Sequence, residues 1–195
     1  NIIRDTKNVA GVETTTYNKF YYNMDRVVHM QDGWLFGLAM SSARTGKYES
    51  SNTTPVSSLT EWYISDGMTY LHNDDVQYLA PWWKGDPYFL SGTTVDDVER
   101  STVQTMSMSE SEWGRPENMW AGGATTGTIG VAAYENGNQF VTGLDALKSY
   151  FMFEDYVVCL GTGITAGSGV VGRTGNAYTV VERRQLVEEA SENVA

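Results

Sequence analysis

Four side chains able to direct hydrogen bonds or charge fall within the nine residues RTGKYESSN: Arg44, Lys47, Glu49 and Asn52. The stretch has no apolar face and follows the strand-like run WLFGLAMSS. A plain connector needs no such concentration of polar groups, so the loop is the first place to look for chemistry. A carboxylate can pair with a cation, and ammonium, guanidinium and amide groups can direct hydrogen bonds at a partner. Elsewhere the usual catalytic signatures are missing. There is no phosphate loop and no G-x-S-x-G. His29 and His72 lie too far apart in sequence to form a metal-ligand spacing. His29 falls within a strand-like run and is expected to face a hydrogen-bond partner, whereas His72, in LHNDD, is expected in an exposed turn. The single cysteine, Cys159, excludes an internal disulfide, and the apolar run YVVCLG around it suggests a buried small hydrophobe. Asn52-Thr53-Thr54 matches a glycosylation acceptor, a pattern too short to carry weight alone.

The elements that would position these groups are strands. In WLFGLAM, Trp34, Phe36, Leu38 and Met40 alternate with Leu35, Gly37 and Ala39, the pattern of a half-buried strand. Before it, MDRVVHMQ reads as a second strand joined through an Asp32-Gly33 turn. TIGVAAYENGNQFVTG reads as two short strands turning at Asn136-Gly137, and KSYFMFEDYVVCLGTGIT as two more bending at Glu154-Asp155. YTVVERRQ reads as a last strand, and only residues 186–192 have helix-forming composition. Polar connectors occupy 43–60 and 101–118. The expectation is an all-β antiparallel sandwich over residues 1–195, with no internal domain boundary.

With 24 acidic and 13 basic residues the net charge is −11, and the resulting field argues against nucleic acid or an anionic membrane as partner. No apolar run reaches the ~18–20 residues of a membrane-spanning helix. The chain starts at NIIRDTKN without an initiator Met or signal peptide, which suggests a mature or excised piece.

Several segments, in order, resemble the β-domain of polysaccharide lyase family 8, the hyaluronate, chondroitin AC and xanthan lyases. They are MDRVVHMQDGWLFGLAMSSARTGKYES, WYISDGMTYLHNDD, DPYFLSGTTVD, KSYFMFEDYVVCLGTGI and TVVERR, running from about residue 20 to 184. The resemblance implies a supersandwich-type portion of a larger, secreted bacterial enzyme acting on acidic, uronate-containing polysaccharide by β-elimination. It also implies partner regions: further C-terminal strands, and an N-terminal helical toroid, absent from this chain, supplying the Asn, Tyr, His and Arg of the reaction. The β-domain would contribute a Glu followed three residues later by an Asn, which here are Glu49 and Asn52, with Arg44 as a further substrate contact. Glu49 would orient the toroid's arginine. The continuation departs from the family, with Thr53-Thr54-Pro55-Val56 where relatives carry Gly-Glu-Asn-Leu. No cofactor is required for such an elimination. A structural calcium or sodium ion is suggested by Asp86 and Asp97, although Tyr88 stands where a carboxylate would be wanted. The Trp82-Trp83 pair suits either sugar stacking or core packing. The alternative to the lyase is a carbohydrate-binding module that kept the sheet without the chemistry.

Overall fold

A computed structural model describes residues 15–45, 47, 63–73, 86, 88–97, 116, 118–138, 144–166 and 175–183. Among the described residues, ten strands form three antiparallel sheets and no helix occurs. The first sheet has the order β1-β2-β3-β4, from β1 (Tyr17–Tyr21), β2 (Arg26–Gln31), β3 (Trp34–Ala39) and β4 (Met68–Asn73). The second large sheet is a meander of β6 (Ala121–Thr125), β7 (Gly130–Asn138), β8 (Leu144–Met152) and β9 (Val157–Thr165). A two-stranded ribbon pairs β5 (Thr94–Asp96) with β10 (Ala177–Thr179).

Alternation decides which face each strand buries. On β2, Val27, His29 and Gln31 point inward while Arg26, Val28 and Met30 are half-buried. The β2–β3 hairpin closes at Asp32-Gly33, where Gly33 takes φ +80° at no steric cost. Phe20, Val27, Phe36, Leu38 and Met40 from the first sheet and its edge meet Ala121, Ala132, Tyr134, Tyr150 and Met152 of the second in one core. A second cluster, Ala39, Tyr63, Met68, Leu90 and Val95, packs the connector after β3 and the ribbon onto the sandwich. Lys148 and Asn136 tie that ribbon to the meander. The Lys148 ammonium donates to Thr94 Oγ1 at 2.7 Å, and the Asn136 amide donates to the Thr94 carbonyl at 2.9 Å.

Three sequence expectations need correction. Asn136 and Gly137 do not turn the chain but lie inside β7, opposite Ala146 and Asp145 of β8. Burial of the Asn136 side chain and its bond to Thr94 override the local turn preference. Cys159 is exposed rather than buried, because β9 is an edge strand with nearly all its residues open to solvent. His72 is exposed as expected but extends β4 rather than forming a turn. The bend at Glu154-Asp155 is present. Residues 186–192 lie outside the described residues.

Candidate functional site

The polar loop leaves β3 over buried carboxylates. Asp25 ends the β1–β2 turn with φ +52°, a left-handed conformation that aspartate tolerates better than most residues. Its side chain is buried and accepts hydrogen bonds from Ser42 Oγ at 2.6 Å and Thr45 Oγ1 at 2.8 Å. It also takes a charge-assisted bond from the Arg44 guanidinium, whose same nitrogen donates to the Ala121 carbonyl at 3.0 Å. The Asp25 carbonyl in turn receives the Met40 amide at 2.9 Å. One aspartate thus gathers three side chains from four consecutive loop residues, 42–45.

The next anchor is Asp66. Lys47 Nζ lies 2.7 Å from Asp66 Oδ1, with side chains only 3% and 2% exposed. Asp66 itself is fixed by a tight turn: its amide donates to the Tyr63 carbonyl, and the Gly67 amide donates to the Ala39 carbonyl. Gly67 sits at φ +82° beneath two buried tyrosines of the meander, so close that a Cβ there would come 2.5 Å from the Tyr134 hydroxyl oxygen. Burial pushes the Tyr134 and Tyr150 phenols above their usual range, with the Asp66 carboxylate adding to the rise at Tyr134. Both tyrosines are therefore neutral packing and hydrogen-bonding groups at any physiological pH.

Arg44 is half-exposed, and one nitrogen of its guanidinium is committed to Asp25 and Ala121. What it can offer a ligand is the remainder of its five-donor fork. Glu49 and Asn52 lie outside the described residues, as do Trp82 and Trp83. Asp25, Asp66 and Lys47 escaped sequence reasoning as anchors. The available signal was an aspartate at each chain reversal, in MDR and SDG, with cations in the following or preceding polar loop.

The suggested cation ligands are engaged elsewhere. Asp97 Oδ1 accepts from the Asn176 amide at 2.9 Å, and Oδ2 accepts from the Tyr178 hydroxyl at 3.2 Å. These donors hold the Asp97 carboxyl below the ordinary carboxylate range. Asp86 Oδ1 accepts from the Tyr88 amide at 2.9 Å, and its carbonyl accepts from Arg183. Tyr88 places its ring 6.0 Å from that of Tyr63, against the second core cluster. No group of three or more His, Cys, Asp or Glu fit to hold a metal occurs among the described residues. Asp86 and Asp97 by themselves supply fewer oxygens than the ~6–8 that calcium takes.

His29 is a structural histidine. Its Nε2 lies 2.9 Å from the Phe153 carbonyl, an acceptor, so Nε2 carries the proton. Nδ1 then accepts from the Asn18 amide at 3.2 Å. Burial lowers its pKa, opposed by the Phe153 bond.

The super-sandwich domain model of polysaccharide lyase family 8 matches residues 16–194. The chain belongs to polysaccharide lyase family 8. A hyaluronate lyase of Enterococcus faecalis is 33% identical over 185 residues, which are 88% of this chain and 17% of that protein. The solved xanthan lyase of Paenibacillus superposes with a TM-score of 0.76 at 34% identity, covering 96% of this chain and 17% of the lyase. The chondroitin AC lyase of Streptomyces coelicolor, solved with chondroitin sulphate, gives 0.73 at 32% identity and covers 91% and 23%. This family 8 chain therefore spans about a fifth of the length of its relatives, and the part it spans is the all-β super-sandwich. No helix among its described residues is long and apolar enough to cross a membrane.

Proposed function

We propose that this chain is the central β-sandwich, over residues 1–195, of a secreted bacterial lyase that cleaves uronate-containing acidic polysaccharide by β-elimination. Hyaluronan, chondroitin and xanthan define the substrate class. The observation that carries the reading is the family match across residues 16–194, joined to relatives named for those three polymers.

In such a reaction a base removes the proton on C5 of the uronate, and that electron pair forms the C4–C5 double bond. The C4–O bond to the leaving sugar breaks, and an acid protonates the departing oxygen. The barrier lies in the weak acidity of the C5 proton, so the uronate carboxylate must be neutralised as charge develops. An N-terminal helical toroid supplies the Asn, Tyr, His and Arg for these steps, and further C-terminal strands complete the enzyme. This chain contributes the opposite wall of the cleft. Glu49 pairs with the toroid's arginine and fixes its orientation, Asn52 hydrogen-bonds the sugar, and Arg44 offers its remaining guanidinium N–H groups to a uronate. Every step is a proton transfer or bond cleavage that needs no cofactor.

Steady-state kinetics of Glu49→Gln and Asn52→Ala in the complete enzyme test this, following the ultraviolet absorbance of the unsaturated uronate. Loss of the Glu49 charge leaves a cation beside the reaction centre without its partner, and turnover is expected to fall roughly 10²–10³-fold. Asn52→Ala deletes one neutral hydrogen bond, worth about 0.5–1.5 kcal/mol, partly expressed in KM. Turnover within about twofold of wild type for both variants, the range of ordinary surface changes, removes these residues from the site.

A further inference from the structure

The Lys47–Asp66 ion pair is buried, its side chains only 3% and 2% exposed. Removing two charges from water is costly, and well-packed hydrophobic replacements for buried ion pairs are often neutral or stabilising. Lysine also loses extensive rotamer freedom when its ammonium is held at one point. What a buried pair provides in return is one geometry: Nζ must sit at Asp66 Oδ1, 2.7 Å away. The acceptor end is rigid. Asp66 lies in the Tyr63–Gly67 turn: its amide donates to the Tyr63 carbonyl, and the next residue, Gly67, donates to the Ala39 carbonyl and sits against Tyr134 and Tyr150. The donor end is the polar loop, whose preceding residues Ser42, Arg44 and Thr45 are already tied to Asp25. The loop is thus fixed at its stem by one carboxylate and again five residues after Ser42 by a second, two residues before Glu49.

We propose that the Lys47–Asp66 ion pair is a positioning element, setting the path of the chain into Glu49 so that this carboxylate meets the catalytic arginine. The inference rests on the lyase reading above and names residues that act only through Glu49. Displacements of about an ångström at a reacting centre can lower rates by up to ~10²-fold, so a loop held only at Asp25 would bind substrate yet turn it over slowly.

The test uses the complete enzyme and compares Lys47→Met, Asp66→Asn and the double variant Lys47→Met/Asp66→Leu. Melting temperature, kcat and KM are measured for each, in the wild-type and the Glu49→Ala backgrounds. Each single variant should lower both the melting temperature and kcat, the charge of its partner being left buried. The double variant should regain most of the melting temperature while kcat stays down roughly 10- to 100-fold with KM little changed. In the Glu49→Ala background it should change kcat by less than about twofold, since coupled residues are non-additive. Recovery of kcat together with melting temperature would show the pair to be purely structural. A full-sized drop in the Glu49→Ala background would likewise overturn the proposal. Normal turnover by Glu49→Ala alone refutes the assignment of Glu49 itself, an outcome distinct from a Glu49→Ala defect with a fully active double variant. Should the double variant melt early, Lys47→Met assayed well below its own midpoint serves instead: unchanged kcat sinks the proposal, and lowered kcat at constant KM supports it.

Discussion

Replacing Asp25 should loosen the stem of the polar loop in a graded way. Alanine at this position has four separate effects. It orphans the Ser42 hydroxyl, which is fully buried, at about 1–3 kcal/mol. It releases Thr45 Oγ1, a part-buried bond worth roughly 0.5–1.5 kcal/mol. It also forces an L side chain without local hydrogen bonding into φ +52°, adding roughly 1 kcal/mol. The Arg44 ion pair adds at most ~1 kcal/mol, because Arg44 is 52% exposed and can be rehydrated. Asp25→Ala should therefore cost roughly 3–6 kcal/mol locally. Asp25→Gly removes the backbone strain and should be about 1 kcal/mol milder. Asp25→Asn keeps the left-handed tolerance and one acceptor oxygen, and should be mildest at about 1–3 kcal/mol. Hydrogen exchange of the segment containing the Met40 amide, which donates to the Asp25 carbonyl, reads the opening directly. The alanine variant should exchange about 10²–10⁴-fold faster there, with glycine and asparagine in between. Equal protection in Ala and Asn variants would refute the role of the carboxylate, and a glycine variant worse than alanine would refute the backbone argument.

Other perturbations have equally definite outcomes. His29 has a lowered folded-state pKa, so the unfolded chain takes up the proton first as pH falls. Its contribution is complete above about 6.5, declines below that, and levels off past the folded pKa; a His29→Gln variant whose melting temperature keeps the same slope between pH 7 and 5 would contradict this. Gly67→Ala places a Cβ 2.5 Å from the Tyr134 hydroxyl and 2.6 Å from that of Tyr150, at φ +82°. A destabilisation of roughly 2–4 kcal/mol is expected, partly relieved by Tyr150→Phe, and an unchanged urea midpoint would show that the tyrosines yield freely. Chelator treatment should leave melting temperature and turnover unaltered, because Asp86 and Asp97 already have protein donors; a fall reversed by added calcium would reinstate a metal.

The strands were legible wherever alternation was strong. β2, β3 and their Asp32-Gly33 turn follow from the period of two and from a dipeptide that accepts positive φ. Local reading failed where a tertiary contact outweighed it. Asn136-Gly137 has the composition of a hairpin turn, yet Asn136 is drawn into β7 by its bond to Thr94, 42 residues away in sequence. Cys159 sits in an apolar run, but burial depends on what covers a strand, and β9 is an edge. Tyr88 stands where a cation site would want a carboxylate, and its ring packs on Tyr63.

The polar loop shows what a local reading of a sequence signal leaves out. Arg44, Lys47, Glu49 and Asn52 stand out together because none of them suits a bare connector. Two of the four, however, are directed into the domain itself: Arg44 to Asp25 and Lys47 to Asp66. Their carboxylate partners lie 19 residues before Arg44 and 19 after Lys47, in turns that draw no notice on their own. Such pairing is invisible to a local reading, since cations facing solvent, substrate and buried aspartate all look alike in sequence. It also changes what a polar loop implies. Hydrogen bonds and charges used to fix a backbone are what allow a neighbouring side chain to act at a defined point. Under the lyase reading we propose, Arg44 and Lys47 set the geometry that Glu49 and Asn52 use. The coupling between Lys47 and Glu49 measures whether they do.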